Sequence, residues 1–336
     1  MAPPSRASWT LSELSRRVGC VKVLRMKLVA IQRTAFWLMF YSSLAAGYAE
    51  TIILQPVADT TLIEYSPDNN HGGTDFFNAG TTGGIANGAR NRGLIRFDFS
   101  SIPAHLKIKS VSMTLEVTRA PAGAGGAPFA LHRMLKNWGE GNKDSTDEIS
   151  RGLGIPATTN EATWNSPFAF STNNWSVAGA GGDFDTLPSS QSVAYPDLFS
   201  VFASTPRMVA DVETWISNPA SNFGWLLKTD DENVFSTARS FGSREFAGID
   251  TNSPPFIEIK FVTAPVISQI QAQNGQFTFS FLAEAEQAYV VESKTALGTT
   301  NAWETLTNIS APPSATNIVV SDSISAIAKF YRVTAP

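Results

Sequence analysis

The chain has 336 residues, of which 16% are charged and 11% aromatic, with 24 glycines, 19 prolines and a formal net charge of −4. Low charge with many turn formers and aromatics describes a turn-rich β protein, long enough for one large domain and one small one. The charge is uneven: residues 1–49 hold seven Lys/Arg against the single acid Glu13, which leaves 18 basic and 28 acidic residues beyond them, a net of −10. That balance argues against nucleic acid or an anionic membrane as partner, because both need positive patches.

Residues 26–49 read as a secretory leader. Met26-Lys27 and Arg33 supply positive charge, residues 34–46 (TAFWLMFYSSLAA) an apolar run short for a bilayer, and Gly47-Tyr48-Ala49 the small residues of a cleavage site. Export with cleavage near Ala49 is expected, with Met26 as the start and residues 1–25 an extension; an uncleaved anchor is the alternative. No later apolar run has spanning length, so no membrane span is expected after cleavage. The one cysteine, Cys20, precedes the cleavage point, which excludes disulfides, thiol catalysis and thiolate metal sites from the exported chain.

Residues 51–65 predict two strands around a polar break at Ala58-Asp59-Thr60, and residues 66–91 read as a Gly/Asn-rich loop. Leu94 to Phe99 alternates, with Ile95, Phe97 and Phe99 on one side and Leu94, Arg96 and Asp98 on the other, as in a half-buried strand. Pro103 stops it. Residues 110–118 alternate again, with Val111, Met113, Leu115 and Val117 inward. Further strands are expected at 129–135, 191–195, 199–202, 223–228, 235–240 and 256–262. Asn137 opens a long polar excursion that runs to about residue 160. Met208, Val212, Trp215 and Ile216 fall on one helical face between Pro206 and Asn218-Pro219. Ala264-Pro265 reads as a linker, after which strands at 276–282, 288–292, 303–306, 316–320 and 330–333 have the rhythm of a small sandwich.

The ordered motifs carry a resemblance. They are Val57-Ala58-Asp59-Thr60, Asn70-His71-Gly72-Gly73, Leu94-Ile95-Arg96-Phe97-Asp98, Ser101-Ile102-Pro103, Trp138-Gly139-Glu140 and Ala162-Thr163-Trp164-Asn165. Asp211-Val212 with Trp215, Asn222-Phe223-Gly224-Trp225, Ser243-Arg244-Glu245 and Pro254-Pro255-Phe256-Ile257 follow. Together they resemble the DNRLRE, or disaggregatase-related, family, which overlaps carbohydrate-binding module family 96. The resemblance covers about residues 51–262 and implies an all-β jelly-roll sandwich that serves as a secreted accessory module. Residues 139–161 are longer and more polar than that family's usual link. Residues 264–336 look like a fibronectin type III-like domain, through Tyr289-Val290-Val291-Glu292-Ser293, Trp303 and Phe330-Tyr331-Arg332-Val333. The expected domains are 1–49, 50–262 and 263–336.

Sugar-binding modules stack pyranose faces on aromatics and bind hydroxyls with polar side chains. Trp215 and Trp225 read as core. Trp138 and Trp164 occupy motif positions, which favours structure over stacking, and Trp175, in a Gly/Asn-rich loop, is the best placed to stack. Arg133 and Glu140 are the accompanying polar candidates. Calcium would take loop oxygens from Asp183 with Asp185, or from Asp230 with Asp231, although neither pair has EF-hand spacing and solvated turns favour Asp anyway. No other cofactor is expected.

Catalysis has little support. The histidines are His71, His105 and His132, and neither a Gly-x-Ser-x-Gly elbow nor a His-Glu-x-x-His pair occurs. Glu140, Glu148 and Glu161 would be the carboxylates of a hydrolase, and Arg133, His132 and Tyr195 the parts of a lyase. Arg96 and Arg244 read as scaffold, Arg244 in an ion pair with Glu245. The expectation is a secreted, non-catalytic polysaccharide-binding protein. The alternative is a structural or adhesive surface protein, with a lyase or hydrolase third.

Overall fold

The period-2 stretches form antiparallel strands that bury their apolar side. The computed structural model describes residues 51–104, 106–147, 152–246, 254–262, 265–296, 302–324 and 328–335. The expected leader lies outside these residues, as do His105 and Glu148. The first compact unit ends at Phe261. Its strands are β1 (Thr51–Leu54), β2 (Pro56–Ile63), β3 (Asn69–Asn70), β4 (Phe76–Thr81), β5 (Arg90–Phe97), β6 (Ile108–Arg119), β7 (Ala127–Arg133) and β8 (Ile155–Pro156). β9 (Ser190–Ala194), β10 (Phe199–Phe202), helix α1 (Pro206–Ser217), β11 (Trp225–Thr229), β12 (Arg239–Gly242) and β13 (Phe256–Phe261) complete it.

Two layers result. β10, β6, β13 and β1 pair in one, and β2, β5, β11, β7 and β9 in the other. β12 pairs with both β6 and β4, and β4 pairs with β5, so the hydrogen-bond ladder passes from one layer to the other. Val111, Met113, Leu115, Val117, Ile257 and Ile259 meet Ile95, Phe97, Phe129, Leu131 and Trp225 in the core between them. The architecture is an all-β, jelly-roll-like sandwich. α1 closes the core. The Thr205 side chain accepts from the Met208 N–H, Pro206 opens the first turn, and Met208, Val212 and Trp215 point inward. Trp215 meets Trp225 edge-on at 4.5 Å and stacks on Phe99 at 5.8 Å.

Three expectations are corrected. β2 runs unbroken through Ala58-Asp59-Thr60, because β5 pairs with it along that length. The 66–91 loop contains β4, six buried residues whose Asn and Gly disguise a strand held between β12 and β5. β5 is not half-buried: Leu94 belongs to a second apolar cluster on the outer side of its layer.

The second unit has two three-stranded sheets. β14 (Ser268–Gln273), β15 (Gln276–Ala283) and β18 (Thr316–Ser323) form one, and β16 (Tyr289–Lys294), β17 (Glu304–Ile309) and β19 (Phe330–Thr334) the other. Phe277, Phe279 and Phe281 meet Tyr289, Val291, Tyr331 and Val333 between them. β14 was not among the expected strands; its side chains are mostly exposed and carry little alternation. No helix among the described residues is long and apolar enough to cross a membrane.

Candidate functional site

The expected stacking tryptophans are structural. The excursion after β7 folds back over the outer side of β2, β5 and β11, where Trp138, Trp164 and Trp175 pack with Ala58, Leu62, Leu94, Met134 and Leu226. Trp175 is 5% exposed, and its Nε1–H donates to the Thr163 carbonyl at 2.9 Å, so the loop carries it inward rather than presenting it. Trp138 donates to the Phe223 carbonyl at 2.8 Å and has the Arg96 guanidinium over its ring at 5.0 Å. Trp164 has Arg90 and Arg92 over its ring, at 5.1 and 5.4 Å. The ring faces a ligand would need are taken by arginines of β5. Arg96 also donates to the Asn137 side chain at 3.0 Å. Asp98 accepts from the Ser100 N–H and hydroxyl.

Several family-like motifs converge on one polar node. The Asp59 N–H donates to Glu140 Oε1 at 2.9 Å, and the Arg244 N–H donates to Asp59 Oδ2 at 2.8 Å. The Arg244 guanidinium reaches Glu140 at 2.6 Å and Glu245 at 2.8 Å. Oxygens of Asp59, Glu140 and Glu245 lie within 4.8 Å of one another. Asn70 ties in the loop: its Nδ2 donates to the carbonyls of Glu140 and Ala162, at 2.7 and 3.0 Å, and its Oδ1 accepts from the Gly72 N–H at 3.0 Å. Gly72 is required here, because a Cβ would sit 2.0 Å from the Glu140 carbonyl oxygen. Burial pushes the Asp59 carboxyl well above the usual range and raises Glu140 too. Glu140, expected to face a ligand, instead ties the excursion to β2 at the Asp59 N–H and to Arg244.

The remaining candidates are scattered. Asp183 accepts from the Ser176 N–H and hydroxyl at 2.6 and 2.7 Å, whereas Asp185 pairs with Arg207 at 2.6 Å. Asp230 accepts from Gln191 at 3.1 Å and Asp231 from the Asn233 N–H at 2.9 Å. Arg133 approaches Asp211 of α1 at 3.5 Å. His132 is buried, with Nδ1 at 2.9 Å from the Asp185 carbonyl oxygen. Glu161 is buried and pairs with Lys143 at 3.5 Å.

The open surface lies on the other layer. Directly opposed residues of an antiparallel pair share a face, so the register fixes the pattern. Phe199 lies opposite Glu116; Val201, Thr114 and Phe256 form the next row; Ser112, Glu258 and Ile53 the next; Ser110, Lys260 and Thr51 the last. Phe199, Val201 and Ile53 are exposed, and Ser110, Ser112, Thr114, Glu116 and Phe256 are part-exposed. Strand spacing and rise place the Cα atoms of Phe199 and Phe256 roughly 12 Å apart. One oxygen of Glu116, Oε2, is buried without a hydrogen-bond partner among the described residues. This surface was missed from sequence, although the alternation of residues 110–118 and 256–261 already placed its polar side outward. No single stretch contains it.

No protein-family model matches this chain, and no curated protein does. Among solved structures, the chain is similar to a β-1,2-glucanase from Parabacteroides distasonis, at 9% identity and a TM-score of 0.18. That alignment covers 86% of this chain and 34% of the glucanase, so the chain spans about a third of that protein's length. A superposition so loose says nothing of shared fold or activity.

Proposed function

We propose that this chain is a secreted, non-catalytic carbohydrate-binding protein, its larger unit a DNRLRE-like module and its smaller one a fibronectin type III-like spacer. The observation that carries the reading is the open outer face of β10, β6, β13 and β1. Hydroxyls of Ser110, Ser112 and Thr114 line its centre, and the rings of Phe199 and Phe256 stand on either side. Stacking rings beside hydroxyl and carboxylate groups suit a hydroxyl-rich chain with apolar ring faces. The acidic balance beyond residue 49 favours an uncharged glycan. The leader-like residues 26–49 support export. The non-catalytic part rests on the polar node, where Arg244 bridges Glu140 and Glu245.

Affinity electrophoresis of the full chain through gels containing neutral polysaccharides tests this. Retardation in at least one polymer, lost in the Phe199→Ala/Phe256→Ala double variant, is expected. A folded protein that no polysaccharide retards would refute it. The exposed aliphatics Ile53 and Val201 on the same face favour one alternative, a protein contact in an adhesive or structural role. Self-association or retention by the cell envelope without sugar binding would support that alternative.

A further inference from the structure

Residues 261–283 carry no charged side chain, although a chain with 16% charged residues would place about four in that length. The stretch builds the hairpin of β14 and β15, and β14 lies at the edge of its sheet, paired among the described strands with β15 alone. Edge strands are usually guarded by lysine, proline or an inward charge, because their free N–H and C=O groups accept a further strand. β14 has none of these. Its one irregularity, a bulge between Ser268 and Gln271 with Gln269 at φ 47°, leaves residues 271–273 in regular register with β15. We infer that β14 pairs antiparallel with β14 of a second copy, which makes the chain a dimer about a two-fold axis at Gln271.

The hairpin fixes which backbone groups are free. Its two-residue turn is Asn274-Gly275, with φ of 51° and 74°. Gln273 and Gln276 flank the turn and bond each other, as do Gln271 and Thr278 two residues on; the pair between them, Ala272 and Phe277, does not. The N–H and C=O of Ala272 therefore point away from β15, and those of Ile270, two residues along the strand, follow them. A second β14 with Gln271 opposite Gln271 sets Ala272 opposite Ile270 and Ile270 opposite Ala272, so both bonded pairs fall where the free groups are. The sequence has the same centre: Gln269-Ile270-Gln271-Ala272-Gln273 alternates glutamine with an apolar residue in either direction. A two-fold interface needs that self-complementarity.

The side chains suit the pairing. Gln271 and Gln273 share the outer face with Thr278 and Gln276, and neither forms a side-chain hydrogen bond with a described residue. Gln269 is already engaged, since its Oε1 accepts from the buried Ser280 hydroxyl at 3.1 Å. On the axis the two Gln271 amides each donate and accept, with no charge to desolvate. On the core side the pairing covers part-exposed Ile270 and exposed Ala272. The opposite edge strand, β18, is unlike β14: its Asp322 is held by Lys329 and Tyr331. Pairing of β14 with itself consumes the matching edge of both copies, so the assembly closes at two. The strip is short, so the interface falls below the roughly 1,200 Å² at the low end of specific contacts, and the dimer dissociates on dilution.

Sedimentation velocity of the full chain from micromolar to millimolar concentration tests the inference. A monomer–dimer equilibrium is expected. Gln271→Lys and Gln271→Glu each set like charges opposite on the axis and should weaken dimerisation roughly tenfold or more, without a change in melting temperature. An equimolar mixture of the two variants should dimerise more tightly than either alone. Val201→Asp, on the open face of the larger unit, should leave the dimer unchanged. A chain that stays monomeric throughout, polymers larger than two, a dimer that Gln271→Lys does not weaken or that Val201→Asp breaks, or a mixture no tighter than its components overturns the inference.

Discussion

The two layers of the sandwich treat their outer faces differently. Outside β2, β5 and β11, a long excursion lays down Trp138, Trp164 and Trp175 as a second core, and Arg90, Arg92 and Arg96 of β5 cover two of those rings. Outside β10, β6, β13 and β1, short hydroxyl side chains lie between phenylalanines that stay accessible. The tryptophans are spent on structure, so the surface open to a ligand carries the plainer residues. Aromatic content alone marks where a chain buries area, and the register of the strands decides what is left outside.

The largest expected effects lie on the covered side. Trp138→Ala or Trp164→Ala should cost about 3–5 kcal/mol by denaturant unfolding, because each leaves a cavity in a packed layer. A loss under about 1 kcal/mol would mean that the excursion is not a core, and the contrast between the faces would fail.

Two buried groups of the larger unit should respond to pH in opposite ways. His71 is buried and its pKa is pushed down to about 4 by burial, from an ordinary 6.5. The unfolded chain therefore takes up this proton first, and stability is lost as pH falls from 6.5 towards 4, by on the order of 3 kcal/mol at most. Asp59 acts in the other direction. Its raised pKa means that the unfolded chain loses the proton first, so stability falls as pH rises above the ordinary carboxylate range. Asp59→Asn should remove that second slope from a series of thermal melts at different pH and leave the His71 slope. A profile unaltered by the substitution would place the pH sensitivity elsewhere.

Arg244→Gln should destabilise by about 1–3 kcal/mol, since it strips Glu140 and Glu245 of their cation while the arginine itself is partly solvated. The smallest effect belongs to the open face. Phe199→Ala should change stability by about 0.5 kcal/mol or less, because its ring is already in water. The same change should weaken polysaccharide retention, which separates a binding role from a packing one.

Strand content, helix α1 and the inward faces of β6 and β13 were legible because alternation and helical spacing record burial directly. β4 was not, because Phe76-Phe77-Asn78-Ala79-Gly80-Thr81 is buried on both faces and shows no alternation. The fate of Trp175 was hidden for a different reason. A Gly/Asn-rich loop looks exposed, but the Thr163 carbonyl and the outer face of β5 draw this ring inward. The polar node was half legible. Arg244 and Glu245 pair as expected, but the reach of Arg244 to Glu140, 104 residues away in sequence, depends on the fold. The open face was least legible, since its rows are assembled from four separated strands.

Thr114 sits at the centre of that face, between Val201 and Phe256. Its substitution by arginine should leave folding intact and place a long side chain across the surface. Affinity electrophoresis of Thr114→Arg beside the parent chain tests the central claim most directly. Loss of retardation in the retained polysaccharide, with an unchanged melting temperature, is the predicted result. Undiminished retardation would show that the sugar binds elsewhere and would contradict the account.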